Sequence, residues 1–223
     1  MKFKKTIATI LGLSFLVGGN LNAQTNNNAG SYVGLRLGIN NADERSYSTD
    51  EKTSQIYSIS GAQFAIFHER KVGEIFSFIN EIHYSQQGVL FSTSIEKMQY
   101  DFTNWNVPFL CKWSFGGSNF KVHLLTGVYA SYINSGKITL EYKGVKDEVE
   151  LSSSDWEMFK INRIGYGATL GGGLSYILPN SSYIVFDCRY KHDLDFVDTQ
   201  DKLYSRVLGF SLGYAYPISK TNK

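Results

Sequence analysis

"RIGYGATLGGGLSYILP", residues 163–179, carries the pattern that decides the fold. Ile164, Tyr166, Ala168, Leu170, Leu174 and Tyr176 take alternate positions, and Gly165, Gly167, Thr169, Gly171, Gly173 and Ser175 fill those between. A period of two is strand geometry, because successive side chains point to opposite faces. Glycine weakens an ordinary strand, so a face built largely of glycine must look into a space with little room. The lumen of an eight-stranded barrel is such a space, wide enough only for packed side chains.

The same alternation recurs over about 31–40, 58–70, 74–87, 104–116, 119–134, 163–178, 182–193 and 203–217, which predicts eight strands. In the last of them Leu208, Phe210, Leu212, Tyr214 and Tyr216 share one face, opposite Val207, Gly209, Ser211, Gly213 and Ala215. Connections after the second, fourth and sixth strands are short, and the others run longer and polar, with Arg45 to Tyr57, Leu90 to Asp101 and Ser135 to Asn162 as external segments. Strict alternation of short and long loops is the layout of an outer-membrane barrel. A soluble sandwich would instead turn its bulky face inward. The expected fold is all-β, an eight-stranded antiparallel up-and-down transmembrane barrel.

The first residues read as an export signal. Lys2, Lys4 and Lys5 precede an apolar run from Ile7 to Val17, and Leu21-Asn22-Ala23 places a small residue before Gln24. The run is shorter than the roughly 20 residues of a spanning helix. The expected organisation is a cleaved signal at 1–23, a short segment at 24–30, the barrel at 31–218 and a polar tail at 219–223, with both ends periplasmic. The chain carries 22 basic and 20 acidic residues; without the three signal lysines it carries 19 against 20, a charge of −1. Nothing in that balance suggests a nucleic-acid footprint, which would need a clustered basic face, and no nucleic-acid partner is expected. Cys111 and Cys188 have no metal spacing and are expected to pack as unpaired thiols, though an exported chain could also join them.

Face parity sends Arg36, Glu81, His83, Lys112, Arg163, Asp187, Arg189 and Lys191 into the lumen. Charges buried there need partners, so Arg36, Glu81, Lys112, Arg163, Asp187 and Arg189 are expected to form a polar network that plugs the barrel. Above the barrel, "KITLEYKGVKDEVEL" alternates around Lys143-Gly144 and could form a hairpin whose edge recruits a partner strand, with Leu140, Tyr142, Lys143 and Lys146 as its binding residues. Two chemical constellations compete with these readings. His192 with Asp193, Asp195 and Ser205 has the members of a hydrolytic site. Asp193, Asp195, Asp198 and Asp201 offer oxygen ligands but lack the register of a calcium loop. A solvated acidic loop accounts for both, so neither a catalytic site nor a cofactor or metal is expected.

Three stretches carry a family likeness. "INEIHYSQQG" (79–88), "NWNVPFLCKWSFG" (104–116) and "CRYKHDLDF…SRVLGFSLGYAYPI" (188–218) resemble the PorT-like outer-membrane β-barrel family, with its Glu-x-x-Tyr-Ser-Gln-x-Gly strand end, its aromatic-x-Val-Pro strand start and its closing Ser-Leu-Gly-Tyr. The chain departs from that pattern at Cys111, where an aliphatic residue is usual, and in a longer insert between the fifth and sixth strands. The resemblance implies an integral barrel and, through the family's namesake, a link to protein secretion. The expected protein is therefore non-enzymatic, structural or accessory, with outer-membrane lipid, the barrel-assembly machinery and secretion or envelope proteins as partners. A lipid-modifying enzyme and a soluble periplasmic ligand-binding barrel are the alternatives.

Overall fold

The computed structural model describes residues 30–46, 55–92, 96–152, 155–156, 163–193 and 203–219. The expected signal at 1–23, most of the segment at 24–30 and all but the first residue of the tail lie outside them. Nine strands appear among the described residues: β1 (Ser31–Ser46), β2 (Gln55–Lys71), β3 (Phe76–Ser92), β4 (Glu96–Gly116), β5 (Phe120–Tyr142), β6 (Val145–Glu150), β7 (Ile164–Ile177), β8 (Tyr183–Asp193) and β9 (Leu203–Ser219).

Eight of the strands close a ring, each antiparallel to its neighbours, in the order β1-β2-β3-β4-β5-β7-β8-β9 and back to β1. β6 lies outside the ring and pairs with the far end of β5. One end of the barrel carries the tight connections at 72–75, 117–119 and 178–182 (the turn end), and the other carries the remaining connections (the loop end). The segment from Leu90 to Asp101 corrects the sequence expectation of a long loop. β3 runs on to Ser92 and β4 begins at Glu96, so that only residues 93–95 connect them.

Alternation assigns the faces as expected. Leu37, Leu170 and Leu212 are 66 %, 63 % and 60 % exposed, and they belong to a ring of outward apolar side chains contributed by the barrel strands. An apolar band of that extent has no place in water, and it matches the outward face of a membrane barrel. The predicted free thiols also hold: Cys111 and Cys188 are both unpaired and partly exposed.

The glycines of β7 answer a steric demand. A Cβ on Gly173 would fall onto the Phe186 carbonyl oxygen and lie 2.8 Å from His123 Nε2 and 2.9 Å from Asp187 Oδ1. Only a bare backbone lets the neighbouring strand and these lumen groups approach. Gly173→Ala is therefore expected to lower stability by about 1–3 kcal/mol, the usual range for overpacking. Gly117, where a Cβ would meet nothing within 4 Å, should accept Ala with almost no change. Thermal unfolding of the two variants side by side measures the difference.

Candidate functional site

Lumen side chains are stacked in layers along the barrel axis. In the middle layer, Glu81 on β3 receives Arg36 Nη1 on one oxygen, Arg189 Nη2 on that same oxygen at 3.0 Å, and Arg189 Nη1 on the other at 2.7 Å. Asp187 on β8 lies 2.9 Å from Arg36 Nε and 3.0 Å from Arg189 Nη2. Two guanidinium groups thus face two carboxylates, all but Arg189 almost wholly buried. The Phe67 ring adds a cation–π contact, 3.9 Å from the Arg36 carbon. Four of the six expected network residues, Arg36, Glu81, Asp187 and Arg189, do meet.

Lys112 belongs to a second layer nearer the turn end. Its Nζ donates to Glu69 Oε2 at 2.9 Å, while Ser77 donates to Glu69 Oε1 at 2.8 Å and the Tyr183 hydroxyl donates to Oε2. One apolar side chain separates the layers on strand after strand: Phe67 before Glu69, Ile79 between Glu81 and Ser77, Val185 between Asp187 and Tyr183. The network is two neutral layers with a greasy partition between them. The sequence reading passed over Glu69, although it shares an inward row with Ala65 and Phe67. Its neighbour His68 hides it in a string of polar letters.

Arg163 corrects the expectation of a lumen role. It stands one residue before β7, at the level of a bulge in β5, where its carbonyl still accepts from Ile133 N at 2.8 Å. Its Nε and Nη2 donate to the carbonyls of Ile133 and Asn134 at 3.0 and 2.9 Å, and its guanidinium lies over the rings of Tyr132 and Trp156 at 4.7 and 5.1 Å. It clamps the 155–156 turn to β5.

The structure also assembles a Ser-His-Asp chain that sequence spacing did not reveal. His123 Nε2 is 2.6 Å from Asp187 Oδ1, and Ser175 Oγ is 3.3 Å from His123 Nδ1. These are the members of a nucleophilic triad, but Asp187 is already held by two arginines. The cavity that includes Ser175 measures about 20 Å³, room for one water-sized particle and no acyl substrate. His192 and Asp193, by contrast, are adjacent on β8 and so fall on opposite faces. Asp193 accepts the Tyr129 hydroxyl in the lumen, while the His192 ring stacks on Tyr190 at 6.4 Å. Asp195, Asp198, Asp201 and the side chain of Ser205 lie outside the described residues.

Polarity inverts above the barrel. β4 and β5 shift register between Thr103 and Asn104, where β5 carries an extra residue. Beyond that bulge the inward row turns apolar, with Val89 and Phe91 on β3, Met98, Tyr100 and Phe102 on β4, and Ile138, Leu140 and Tyr142 on β5. Rings follow one another from Phe91 to Tyr100 at 5.8 Å, to Phe102 at 6.3 Å and to Trp156 at 6.3 Å. The outward row turns charged, with Lys137 3.0 Å from Glu148 and Lys97 3.8 Å from Glu141. Beside the inversion lies a groove of about 290 Å³ whose walls include Ser60, Gln86, Asp101, Thr103 and Lys137. The expected hairpin is present, and its turn is set by positive φ at Lys143 (48°) and Gly144 (84°). Its four predicted residues divide between faces: Leu140 and Tyr142 lie on the apolar row, Lys146 lies on the charged row, and Lys143 at the turn sets its Nζ 5.2 Å from the Tyr142 ring.

A ring of eight antiparallel strands with an apolar exterior, a charged and filled interior and a polar outer rim is the geometry of an outer-membrane barrel. The family model described as "Outer membrane protein beta-barrel domain" matches residues 22–195. The chain belongs to that family. Family membership places it in the bacterial outer membrane, which sets aside the soluble periplasmic alternative. Among solved structures it is similar to the outer membrane protein OprG from Pseudomonas aeruginosa, with 13 % identity and a TM-score of 0.51 over 86 % of this chain and 98 % of that one. It is also similar to Neisserial surface protein A (16 % identity, TM-score 0.45, covering 83 % and 97 %) and to the attachment invasion locus protein Ail of Yersinia pestis (14 %, 0.43, 84 % and 99 %). At such identities the likeness to OprG speaks for the fold alone. Among curated proteins, none matches the sequence.

Proposed function

We propose that this family member is a non-enzymatic accessory barrel, sealed through its lumen, that presents the extension built by β3, β4, β5 and β6 to a protein partner at the cell surface. The reading places the chain ends and tight turns in the periplasm, behind a cleaved signal, and the loop end outside. The PorT-like resemblance makes a secretion or envelope assembly the expected class of partner, with the barrel-assembly machinery needed for insertion.

The observation that carries the reading is the hairpin at the loop end. Among the described residues β6 pairs on one side only, with β5, which leaves a row of backbone donors and acceptors along its outer edge. An extended segment of a partner can add there as a further strand. The lumen supports a non-conducting role, since its cavities are water-sized and the carboxylates of its two layers are each held by cations.

Replacing residues 145–150 by a glycine-serine stretch tests this. After gentle extraction the native protein is expected in a large assembly and the variant as a lone barrel, both still compact and heat-modifiable on an unboiled gel. Equal native sizes for the two would remove the docking role.

A further inference from the structure

The cavity that adjoins the middle layer on its loop-end side has an unusual wall. Arg36, Arg189, Lys191 and Thr169 all line it, and each carries a buried group with no hydrogen-bond partner among the described residues: Arg36 Nη2, Arg189 Nε, Lys191 Nζ and Thr169 Oγ1. All four can donate, and three belong to cations. A buried donor without an acceptor costs far more than a paired one, so four of them around one small space call for a common acceptor.

The protein does not supply it. Both oxygens of Glu81, which also lines the cavity, are taken up by Arg36 and Arg189. Asp187 is spent on the same guanidinium groups and on His123. Asp193, two residues along β8, faces a neighbouring cavity and accepts from Tyr129. Around the cavity Arg36, Arg189 and Lys191 stand against Glu81 and Asp187, with Asp193 beside Lys191 in the next cavity, so the charges balance while the four donors still lack an acceptor. The volume is about 20 Å³, close to a single water-sized particle, and so too small for phosphate or a carboxylic acid.

We propose that this space is a binding site for one small monovalent anion of halide size, held by Lys191 and Thr169 with the two arginines behind them. The anion gives these donors their common acceptor and ties β8 to β7 and β1. It is a structural ligand, separate from the docking role assigned to the extension.

Sodium bromide is the probe. Crystals grown in bromide are expected to show an anomalous peak beside Lys191 and Thr169. In detergent at constant ionic strength, with gluconate as the oversized substitute, the unfolding equilibrium should shift toward the folded state by about tenfold for each tenfold excess of bromide over its dissociation constant. Lys191→Met and, should that variant fail to fold, Thr169→Val are expected to abolish the bromide dependence, while Lys97→Met on the outer wall keeps it. The proposal is overturned if bromide and gluconate give the same unfolding curve, if the dependence survives in Lys191→Met or Thr169→Val, or if the crystals hold only water or an adventitious ion elsewhere.

Discussion

Glu81→Ala is expected to lower the stability of the barrel by about 3–5 kcal/mol, the cost of removing one partner from a buried charge pair. The loss comes from what remains. Arg36 and Arg189 would keep only Asp187 between them, in a lumen that water cannot readily enter. Swapping the whole layer for apolar residues of matching volume would be far milder, because no lone charge would be stranded. Glu141→Ala is the control: its contacts with Lys97 and Lys146, at 3.8 and 4.0 Å, lie in the solvated row and are worth about 0–1 kcal/mol. Heat-modifiability in detergent reads both variants, and a Glu81→Ala barrel as stable as the Glu141→Ala barrel would refute the layered network.

A lysine tells the two zones of the same sheet apart. Leu212 pairs with Leu37 and with Phe186 halfway up the apolar band, so Leu212→Lys should cost about 2–4 kcal/mol in a bilayer, the penalty for a cation near the midplane. Leu140→Lys lies beyond the inversion, where even the apolar row is partly open to water and Leu140 is 38 % exposed. Its expected effect is within about 0.5 kcal/mol, as for ordinary surface changes. Denaturant unfolding from lipid vesicles measures both. A comparable penalty at the two positions would mean that the hydrocarbon region extends past the bulge at Thr103.

The barrel was legible from sequence because its physics is local. Ile164 through Tyr176 state the alternation outright, and lumen parity followed for Arg36, Glu81, Asp187 and Arg189. What escaped depended on contacts across the ring. His123 meets Asp187 only because β5 and β8 each flank β7, and Lys112 finds Glu69 rather than Glu81 because strand tilt decides which inward rows share a level. Arg163 kept the right parity but stands at the level of the bulge, where its guanidinium meets backbone carbonyls and Trp156 rather than the lumen carboxylates. The long hairpin of β3 and β4 was missed for a different reason. At the inversion the apolar residues change sides relative to the lumen, and a reader following bulky-outward alternation meets Val89, Phe91 and Tyr100 out of phase and infers a loop.

The seam between β1 and β9 has a temporal meaning. It aligns Ser31 with Ser219 and Ser46 with Leu203, residues from opposite ends of the described chain, whereas most other neighbours in the ring follow one another in sequence. Hairpins between successive strands can form early, since their loops close at little entropic cost. The seam cannot form until the last strand exists, and pairings of such separation are the slow ones. Until then both edge strands stay unpaired and open to wrong partners. A chain stalled before Leu203 would hold nearly all of its local pairings and still lack a barrel, so closure of this one seam is expected to set the pace of assembly.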